Sequence, residues 1–194
     1  MIAIIDYGAG NLRSVQNTLD VVGAQYAVVQ QAEAVEQASK IILPGVGHFG
    51  QMMRALEEKK LRGVLVDRIR AGVPFLGICL GMHALFEGSE EAPELAGFGL
   101  LPGIVKRFPA GARVPHMGWN QLDVKPGSKL VRNGAYVYFA HSYFAPVVDA
   151  TSATCDYGLR FTAAVEQANL FGVQFHPEKS GPLGLETVRA FVEL

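Results

Sequence analysis

The sequence predicts an α/β fold with an open, mostly parallel central sheet, helices on both faces and an antiparallel, strand-rich second half. Short apolar runs alternate with segments of helical periodicity as far as Glu87, which is the pattern of a parallel sheet covered on both faces. From Gly97 onward the apolar runs follow one another with glycine and proline between them, as in antiparallel strands. The chain contains no internal repeat, low-complexity tract or linker. We therefore expect residues 1–194 to form a single domain.

The first half of the chain supplies the predicted parallel strands and their helices. The predicted strands are Ile2–Ile5, Tyr26–Val29, Lys40–Leu43 and Pro74–Ile78. Three predicted helices carry apolar residues at helical spacing: Leu12, Val15, Leu19 and Val22 in the first, Met52, Met53 and Leu56 in the second, and Leu61, Val64, Leu65 and Ile69 in the third. Gly23 closes the first helix. A further helix-like segment, Leu80–Glu87, follows the fourth strand.

Strands dominate the predicted second half. The strand-rich segments are Gly97–Phe108, Trp119–Val124, Ala135–Val148, Thr151–Asp156 and Phe161–Phe175. Ala168-Asn169 lies between two apolar runs and is typical of a hairpin turn. The segment Gly181–Leu194 is predicted to be a closing helix, with Val188, Phe191 and Val192 facing the core.

Composition and charge exclude several classes of function. With 49% hydrophobic and 18% charged residues, the chain is globular rather than disordered. A net charge of −1 without a basic stripe argues against nucleic acid as a direct partner. Two cysteines, Cys79 and Cys155, argue against a disulfide scaffold and for a reducing compartment. The apolar run at the amino terminus, Ile2–Ile5, is too short for a signal peptide, and no stretch is long enough to span a membrane. We therefore expect a cytoplasmic protein that does not bind membranes.

A cysteine lies at the end of the fourth predicted strand. Cys79 is bracketed by Gly77 and Gly81, and the helix-like segment begins at the next residue. The G-x-S-x-G elbow of hydrolases has the same layout with serine, because a sharp turn lifts the nucleophile clear of the sheet edge. A helix start also favours a thiolate. Since a cysteine after an apolar strand is more often a small buried hydrophobe, the rest of the chain must decide between the two interpretations.

A catalytic cysteine needs a base, because a thiol with a pKa of about 8.5 is mostly protonated at neutral pH. The chain has five histidines: His48, His83, His116, His141 and His176. His83 lies about one helical turn after Cys79, but a side chain at an elbow points away from its own helix. His176 follows the apolar run Leu170–Phe175, at the predicted carboxyl end of a strand, where sites lie in open α/β folds.

Glu178 is the candidate for the third member of a triad. In extended backbone, its spacing of two residues from His176 places both side chains on one face. A carboxylate there would fix the imidazole tautomer and stabilise the imidazolium. Pro177, between them, lacks an amide donor and suits a strand that leaves the sheet. Taken alone, this tripeptide is typical of a surface turn. Its combination with the elbow cysteine favours the triad.

Acyl transfer also requires hydrogen-bond donors for the oxyanion. The amide of Leu80, directly after the cysteine, is one candidate. The segment Pro44–Gly47, after the third strand, is the second, because the glycines on each side of Val46 would let that peptide unit rotate. Taken alone, the segment is also consistent with an ordinary glycine turn.

Six motifs carry a family resemblance. Three of them are Pro44–Gly47 (PGVG), Gly77–Met82 (GICLGM) and Phe175–Glu178 (FHPE). They resemble the signature set of class I glutamine amidotransferases. The other three are Asp6–Asn11 (DYGAGN), Val114–Asn120 (VPHMGWN) and His141–Tyr143 (HSY). They are similar to motifs of the glutaminase subunits of imidazole glycerol phosphate synthase, a histidine-biosynthesis family. The resemblance extends from Ile2 to Ser180.

The resemblance implies a role for each motif. Cys79 would attack glutamine and form a thioester, with His176 as acid and base and Glu178 orienting the imidazole. The implied oxyanion amides are those of Val46, Gly47 and Leu80. The implied contacts to bound glutamine are His83, Glu91, Ser142 and Tyr143. The family usually has glutamine where this chain has His83, which puts the detailed substrate contacts in question but leaves the triad untouched.

The resemblance also implies a partner in trans. Ammonia would pass to the cyclase subunit of imidazole glycerol phosphate synthase, a (β/α)₈ barrel, in a heterodimer. Asn11, Trp119, Asn120 and Lys179 are the candidates for the interface between the subunits. For Trp119, packing in the core is an equally good interpretation. Because ammonia made without a partner would be wasted, we expect docking to turn a misaligned Pro44–Gly47 peptide. No cofactor or metal is predicted.

Three other functions compete with this one. A stand-alone cysteine hydrolase, such as a γ-glutamyl peptidase, would not need the Val114–Asn120 motif and would work at full rate alone. A non-catalytic scaffold could lose the triad, yet all three residues are present. A nucleotide binder using Gly8-Ala9-Gly10 lacks the third glycine of the dinucleotide fingerprint and a ribose-binding acid.

Overall fold

A computed structural model describes residues 1–194 as an α/β fold around an eight-stranded sheet. The strands are β1 (Ile2–Ile5), β2 (Tyr26–Val29), β3 (Lys40–Gly45), β4 (Phe75–Cys79), β5 (Gly88–Ser89), β6 (Ile104–Arg107), β7 (His116–Gln121), β8 (Asp123–Val124), β9 (Tyr136–His141), β10 (Tyr143–Phe144), β11 (Thr151–Asp156), β12 (Arg160–Gln167) and β13 (Leu170–Val173). The helices are α1 (Leu12–Val22), α2 (Ala32–Glu36), α3 (Phe49–Glu58), α4 (Leu61–Arg70), α5 (Leu80–His83) and α6 (Gly181–Glu193), with a 3₁₀ turn at Pro177–Lys179.

The main sheet has the order β2-β1-β3-β4-β13-β12-β11-β8. Its first five strands are parallel, and β12, β11 and β8 extend it in antiparallel fashion. Strands β10, β6 and β5 form a small sheet, and β7 pairs with β9 in another. The predicted fold class, a mostly parallel sheet followed by an antiparallel portion, is confirmed.

Side chains that alternate along the central strands divide between two cores, one on each face of the sheet. Ile5, Leu43 and Phe75 belong to the core that also contains residues of α3 and α4. The neighbouring residues Ile4 and Ile42 belong to the core shared with α1 and α6. Because both faces are covered, the strands must be apolar throughout. This explains why they appear in the sequence as unbroken apolar runs.

The pairing of β13, the last strand in the sequence, determines where the site lies. It pairs in parallel with β4, with Gly172 opposite Gly77 and Val173 opposite Ile78. The two strands therefore end at the same edge of the sheet, although nearly a hundred residues separate them in sequence. The residues after Val173 emerge beside the residue that ends β4, Cys79.

The helix after Cys79 is shorter than predicted. It ends at His83 instead of continuing to Glu87. The N–H groups of Phe98, Gly99 and Leu100 bind the carbonyl oxygens of Ala84, Phe86 and Leu85, respectively. Within the segment itself, the N–H groups of Leu85 and Phe86 bind carbonyls only three residues back, and the N–H of Glu87 donates to the carbonyl oxygen of Gly103. The helical bonding pattern therefore does not continue to Glu87.

Other departures from the predicted elements are local. In Gly97–Phe108 only Ile104–Arg107 is a strand, since the preceding residues make the bonds just described. The last parallel strand ends at Val173 rather than Phe175. Helix α2 and strand β5 were not predicted. The longest helix, α6, has 13 residues, and no helix combines the length and the apolar composition needed to cross a membrane.

Candidate active site

Cys79 occupies a strained turn between β4 and α5. Its φ of 52° and ψ of −107° lie outside the regions that side-chain-bearing residues normally adopt. Strain of this kind costs of the order of 1–3 kcal/mol and persists only where the surroundings enforce it. A Cβ added to Gly77 would overlap the carbonyl group of Gly81, and one added to Gly81 would overlap the carbonyl oxygen of Leu43. The two glycines therefore let β3, β4 and α5 approach closely enough to hold the turn.

His176 and Glu178 lie at the same sheet edge. Nδ1 of His176 is 2.8 Å from Oε1 of Glu178, and the two side chains are only 4% and 3% exposed. The main chain of His176 is tied to β9, because its N–H donates to the carbonyl oxygen of Tyr138. Ser180 accepts from the N–H of Tyr138 and donates to the carbonyl oxygen of His176.

The backbone between His176 and Glu178 differs from the prediction. Extended backbone was expected to bring the two side chains to one face, but Pro177–Lys179 form a 3₁₀ turn that begins directly after His176. Pro177 stands at the first position of that turn, where its missing N–H leaves no bond unmade. The turn brings the carboxylate back to the imidazole.

The charges around His176 favour its protonated form. Burial by itself would lower its pKa, but hydrogen bonds to the side chains of Cys79 and Glu178, with the negative charges these two can carry, raise the pKa to about 10. The imidazole is therefore an imidazolium at neutral pH. A cation in contact with the cysteine is what a thiolate nucleophile requires.

A cavity of about 180 Å³ opens over Cys79. Its lining combines the elbow, the Pro44–Gly47 segment and the strand ends of the second half. The lining residues are Val46, Gly47, Cys79, Leu80, His83, Glu91, Pro115, Ala140, His141, Ser142, Tyr143 and His176. A larger cavity of about 370 Å³, between residues 128–132 and α6, contains none of them. No group of three or more His, Cys, Asp or Glu side chains is arranged to hold a metal ion.

The predicted oxyanion segment lies directly beside the cysteine. Gly45 is the register partner of Cys79, so Val46 and Gly47 follow at the rim of the cavity. Gly47 has a φ of 94°, which favours glycine. Leu80 is the first residue of α5, and its N–H has no partner within that helix.

His83 lies under the cavity and is bound to a residue that sequence reasoning missed. Its Nε2 is 2.7 Å from Oε1 of Gln174, and Nε2 of Gln174 lies 3.6 Å from Sγ of Cys79. Burial lowers the pKa of His83 to about 4, so the ring is neutral at physiological pH. Its Nδ1 is buried and has no partner. A signal for Gln174 was present in the sequence, since it is the polar residue in the apolar run that precedes His176.

Glu91 lines the cavity and also binds the start of α3. Its Oε2 accepts the N–H of Phe49, 2.7 Å away, at the start of α3. A carboxylate at a helix start is held by the exposed N–H groups and the helix dipole. This contact fixes the side chain at the rim of the cavity, with Oε1 not engaged by any donor of the chain.

Ser142 and Tyr143 contribute backbone to the cavity wall. The carbonyl oxygen of Ser142 accepts the N–H of Phe108, and the carbonyl oxygen of Tyr143 lies 2.8 Å from Nδ1 of His141. Both carbonyls are therefore engaged within the protein. A ligand at this wall would meet amide or side-chain groups instead.

The four predicted interface residues occupy different environments. Trp119 is 55% exposed, which excludes the core-packing interpretation, and its ring lies 6.2 Å from that of Tyr138. Lys179 lies with its Nζ 5.8 Å from the same tyrosine ring. Asn120 is half-buried, and its side chain donates to the carbonyl oxygen of the exposed Asp156. Asn11 is half-buried and directly precedes α1, but its side chain makes no capping hydrogen bond to that helix.

Comparisons with known proteins identify the relatives of this chain. A family model for class I glutamine amidotransferases matches residues 3–193. The chain is 49% identical over 197 residues to an imidazole glycerol phosphate synthase subunit HisH of Methanothermobacter thermautotrophicus, covering 100% of this chain and 98% of that one. It is also 49% identical over 183 residues to the HisH subunit of Thermus thermophilus, covering 94% and 91% of the two chains.

Solved structures share the fold at lower sequence identity. A crystal structure of a glutamine amidotransferase matches with a TM-score of 0.80 at 19% identity, over 100% of both chains. The structure of PurLQS from Thermotoga maritima matches with a TM-score of 0.76 at 20% identity, over 99% of this chain and 97% of that one. The family model and the close relatives cover nearly the whole chain, so it belongs to the class I glutamine amidotransferase family and, within it, to the family of imidazole glycerol phosphate synthase HisH subunits.

Proposed function

We propose that this chain is the glutaminase subunit of imidazole glycerol phosphate synthase and that it hydrolyses glutamine to glutamate and ammonia for a separate cyclase subunit. The observation that carries the proposal is the meeting of Cys79, His176 and Glu178 at one sheet edge beneath a cavity. Full-length relatives at 49% identity bear the name of this synthase subunit.

The first half of the reaction forms a thioester. The reaction starts from a Cys79 thiolate beside the His176 imidazolium, and the raised pKa of His176 keeps the proton on the ring. The sulfur then attacks the side-chain carboxamide carbon of glutamine, and the carbonyl oxygen becomes an oxyanion. His176 returns the proton to the nitrogen as the C–N bond breaks, and ammonia leaves.

The second half hydrolyses the thioester. His176, now neutral, takes a proton from water as the water attacks the thioester carbon. The C–S bond breaks, glutamate leaves, and the thiolate and imidazolium are restored. Glu178 remains ionised throughout and stabilises the imidazolium in both halves.

The oxyanion is bound by main-chain amides in this proposal. The N–H of Leu80 is one donor, and the Val46–Gly47 peptide supplies the other. Removal of one such donor typically costs about 10²–10³ in rate. Because Gly47 is in a conformation that favours glycine, the peptide before it can turn without steric cost from a side chain. Docking of the cyclase subunit would then align this peptide.

The polar groups of the cavity bind the amino-acid portion of glutamine. Oxygen Oε1 of Glu91 accepts from the substrate ammonium group, and the backbone at Ser142 and Tyr143 contacts the carboxylate. His83 is neutral and lines the cavity, and since its Nδ1 is buried, the exposed edge of the ring makes the contact with glutamine. Its short, rigid ring reaches the cavity where the family usually has a flexible glutamine.

The cyclase subunit docks on the exposed cluster of Trp119, Tyr138 and Lys179. Aromatic and cationic side chains of this kind are enriched in interfaces between proteins. The cluster adjoins the triad, because Lys179 follows Glu178 and the carbonyl oxygen of Tyr138 binds the N–H of His176. Ammonia released at Cys79 therefore has a short route to the partner.

The test measures glutaminase activity of the purified chain with and without a purified cyclase subunit. We expect slow hydrolysis by the chain alone and a large increase with the cyclase. Cys79→Ala should abolish turnover but keep binding to the cyclase, whereas the matched change Cys155→Ala, outside the cavity, should leave turnover intact. If Cys79→Ala still hydrolyses glutamine, the assignment of Cys79 as the nucleophile is refuted. Full activity without the cyclase would favour a stand-alone hydrolase.

A further inference from the structure

Gln174 connects two polar groups beneath the cavity. Its side chain is completely buried, in a part of the chain where the neighbouring residues Val173 and Phe175 are also buried. Its amide has two partners: Oε1 lies 2.7 Å from Nε2 of His83, and Nε2 lies 3.6 Å from Sγ of Cys79. A buried amide in apolar surroundings is costly unless its groups are paired, so its placement calls for an explanation.

The hydrogen bonds among His83, Gln174 and Cys79 can be donated in only one order when the sulfur is a thiolate. A thiolate sulfur only accepts, so the amide must present its NH₂ group to Cys79. The amide oxygen of Gln174 then faces His83 and only accepts. Nε2 of His83 must therefore carry the hydrogen, and Nδ1 is left as a bare acceptor. The order of donation runs from His83 to Gln174 and from Gln174 to the sulfur.

We propose that Gln174 is a positioning residue that stabilises the Cys79 thiolate and fixes its direction, and that His83 holds the Gln174 amide in place. The inference rests on the proposed function, in which that thiolate is the nucleophile. Cys79 would thus have two donors, His176 and Gln174. The imidazolium gives up its proton during the reaction, but the amide cannot. Gln174 therefore supports the sulfur both before attack and when the thioester breaks.

A structural role would have a different consequence. If Gln174 only satisfied the buried Nε2 of His83, its replacement would change the stability of the fold and leave the ionisation of Cys79 unaffected. If it stabilises the thiolate, its loss must move the titration of the thiol to higher pH. The titration of Cys79 therefore separates the two roles.

The test follows the rate of alkylation of Cys79 by iodoacetamide against pH, in the full chain without glutamine or cyclase. Burial raises the pKa of Cys155 to about 12, so that thiol does not compete, and Cys79→Ala gives the background. Gln174→Met keeps the length of the side chain but removes the donor. We expect alkylation at pH 7 to fall about tenfold and the profile to move about one unit to higher pH.

Two further variants and one control accompany this measurement. Gln174→Glu keeps the shape but places a carboxylate beside the sulfur, so the profile should move further in the same direction. His83→Phe, which removes the donor to the amide oxygen, should move it by less. The matched control Gln167→Met makes the same chemical change at an exposed position and should leave the profile unchanged.

Glutaminase kinetics with the cyclase present provide the second readout. In Gln174→Met we expect kcat to fall about tenfold with KM unchanged, because Gln174 does not line the cavity. Alkylation profiles of Gln174→Met and Gln174→Glu that superimpose on that of the parent chain would overturn the inference. A parent chain that never hydrolyses glutamine would instead overturn the proposed function, since the alkylation profiles do not depend on turnover.

Discussion

Nδ1 of His176 donates to Oε1 of Glu178 across 2.8 Å, and neither side chain has more than 4% of its surface exposed. The other carboxylate oxygen of Glu178, Oε2, is also buried and has no partner in the chain. The negative charge of Glu178 is therefore directed at the imidazole rather than shared among several donors. Such a pair is sensitive to the loss of either member, because the remaining charge stays buried.

Replacing Glu178 by glutamine should disable the imidazole without opening the cavity. A neutral amide cannot stabilise the imidazolium, and it can hold the ring in the wrong tautomer. We expect kcat of Glu178→Gln to fall by at least about a hundredfold, with little change in KM, because Glu178 does not line the cavity. Steady-state glutaminase kinetics with the cyclase present measure both. The exposed Glu94→Gln is the matched control. Retention of kcat within tenfold would contradict the role given to Glu178.

The raised pKa of His176 also predicts how stability depends on pH. The folded chain holds the proton to about pH 10, whereas the unfolded chain releases it near 6.5. The contribution to stability is therefore fully present below about pH 6.5 and is lost as pH rises through about 10. The free energy of unfolding of the parent chain should exceed that of Glu178→Gln most at about pH 6.5, and this difference should shrink towards pH 10. Urea unfolding under reducing conditions measures it. A difference that grows with pH would show that His176 is not held protonated.

Much of the central sheet was predictable because its strands are buried on both faces. Strands β1 and β2 match their predicted ranges, and the predicted β3 is extended by two residues. The signal is local in each case, an unbroken apolar run bounded by polar residues or glycine. The αL conformation of Gly23, with a φ of 74°, likewise agrees with the predicted end of α1.

Features that depend on distant residues were not predictable. Helix α5 does not reach Glu87 because the N–H of that residue donates to the carbonyl oxygen of Gly103, in a distant part of the chain. Gln174 acquires its partners only because β13 lies beside β4. The side chain of Asn120 donates to the carbonyl oxygen of Asp156, which is far from it in sequence. None of these contacts has a signature within a window of a few residues.

The exposed Trp119 should matter for the partner and not for the fold. Its indole is 55% exposed and packs edge-on against Tyr138, beside Lys179. Truncation of a tryptophan at the centre of an interface commonly costs about 2 kcal/mol or more. We expect Trp119→Ala to raise the Kd for the cyclase by about 30-fold or more and to leave the melting temperature unchanged. Isothermal titration calorimetry and thermal unfolding measure the two effects.

The control for Trp119 is Val147→Ala, an apolar residue that is 52% exposed and lies outside the cluster. The Kd of Val147→Ala for the cyclase should equal that of the parent chain. At saturating cyclase, Trp119→Ala should recover glutaminase activity, since the tryptophan does not line the cavity. An unchanged Kd in Trp119→Ala would remove this cluster from the interface.

Two glycine-to-alanine changes should act in opposite directions. A Cβ at Gly81 would overlap the carbonyl oxygen of Leu43 in β3, so the elbow or the strand must move. We expect Gly81→Ala to lower the free energy of unfolding by at least about 2 kcal/mol and to reduce kcat, because displacement of α5 misplaces Cys79.

At Gly63, exposed within α4, an added Cβ meets nothing within 4 Å. Gly63→Ala should therefore stabilise the chain by roughly 0.5–1 kcal/mol through its higher helix propensity and leave kcat unchanged. Urea unfolding of both variants under one set of conditions measures the sign of each effect. Equal stability of the two variants would mean that β3 and α5 are not in the close contact that holds the strained turn at Cys79.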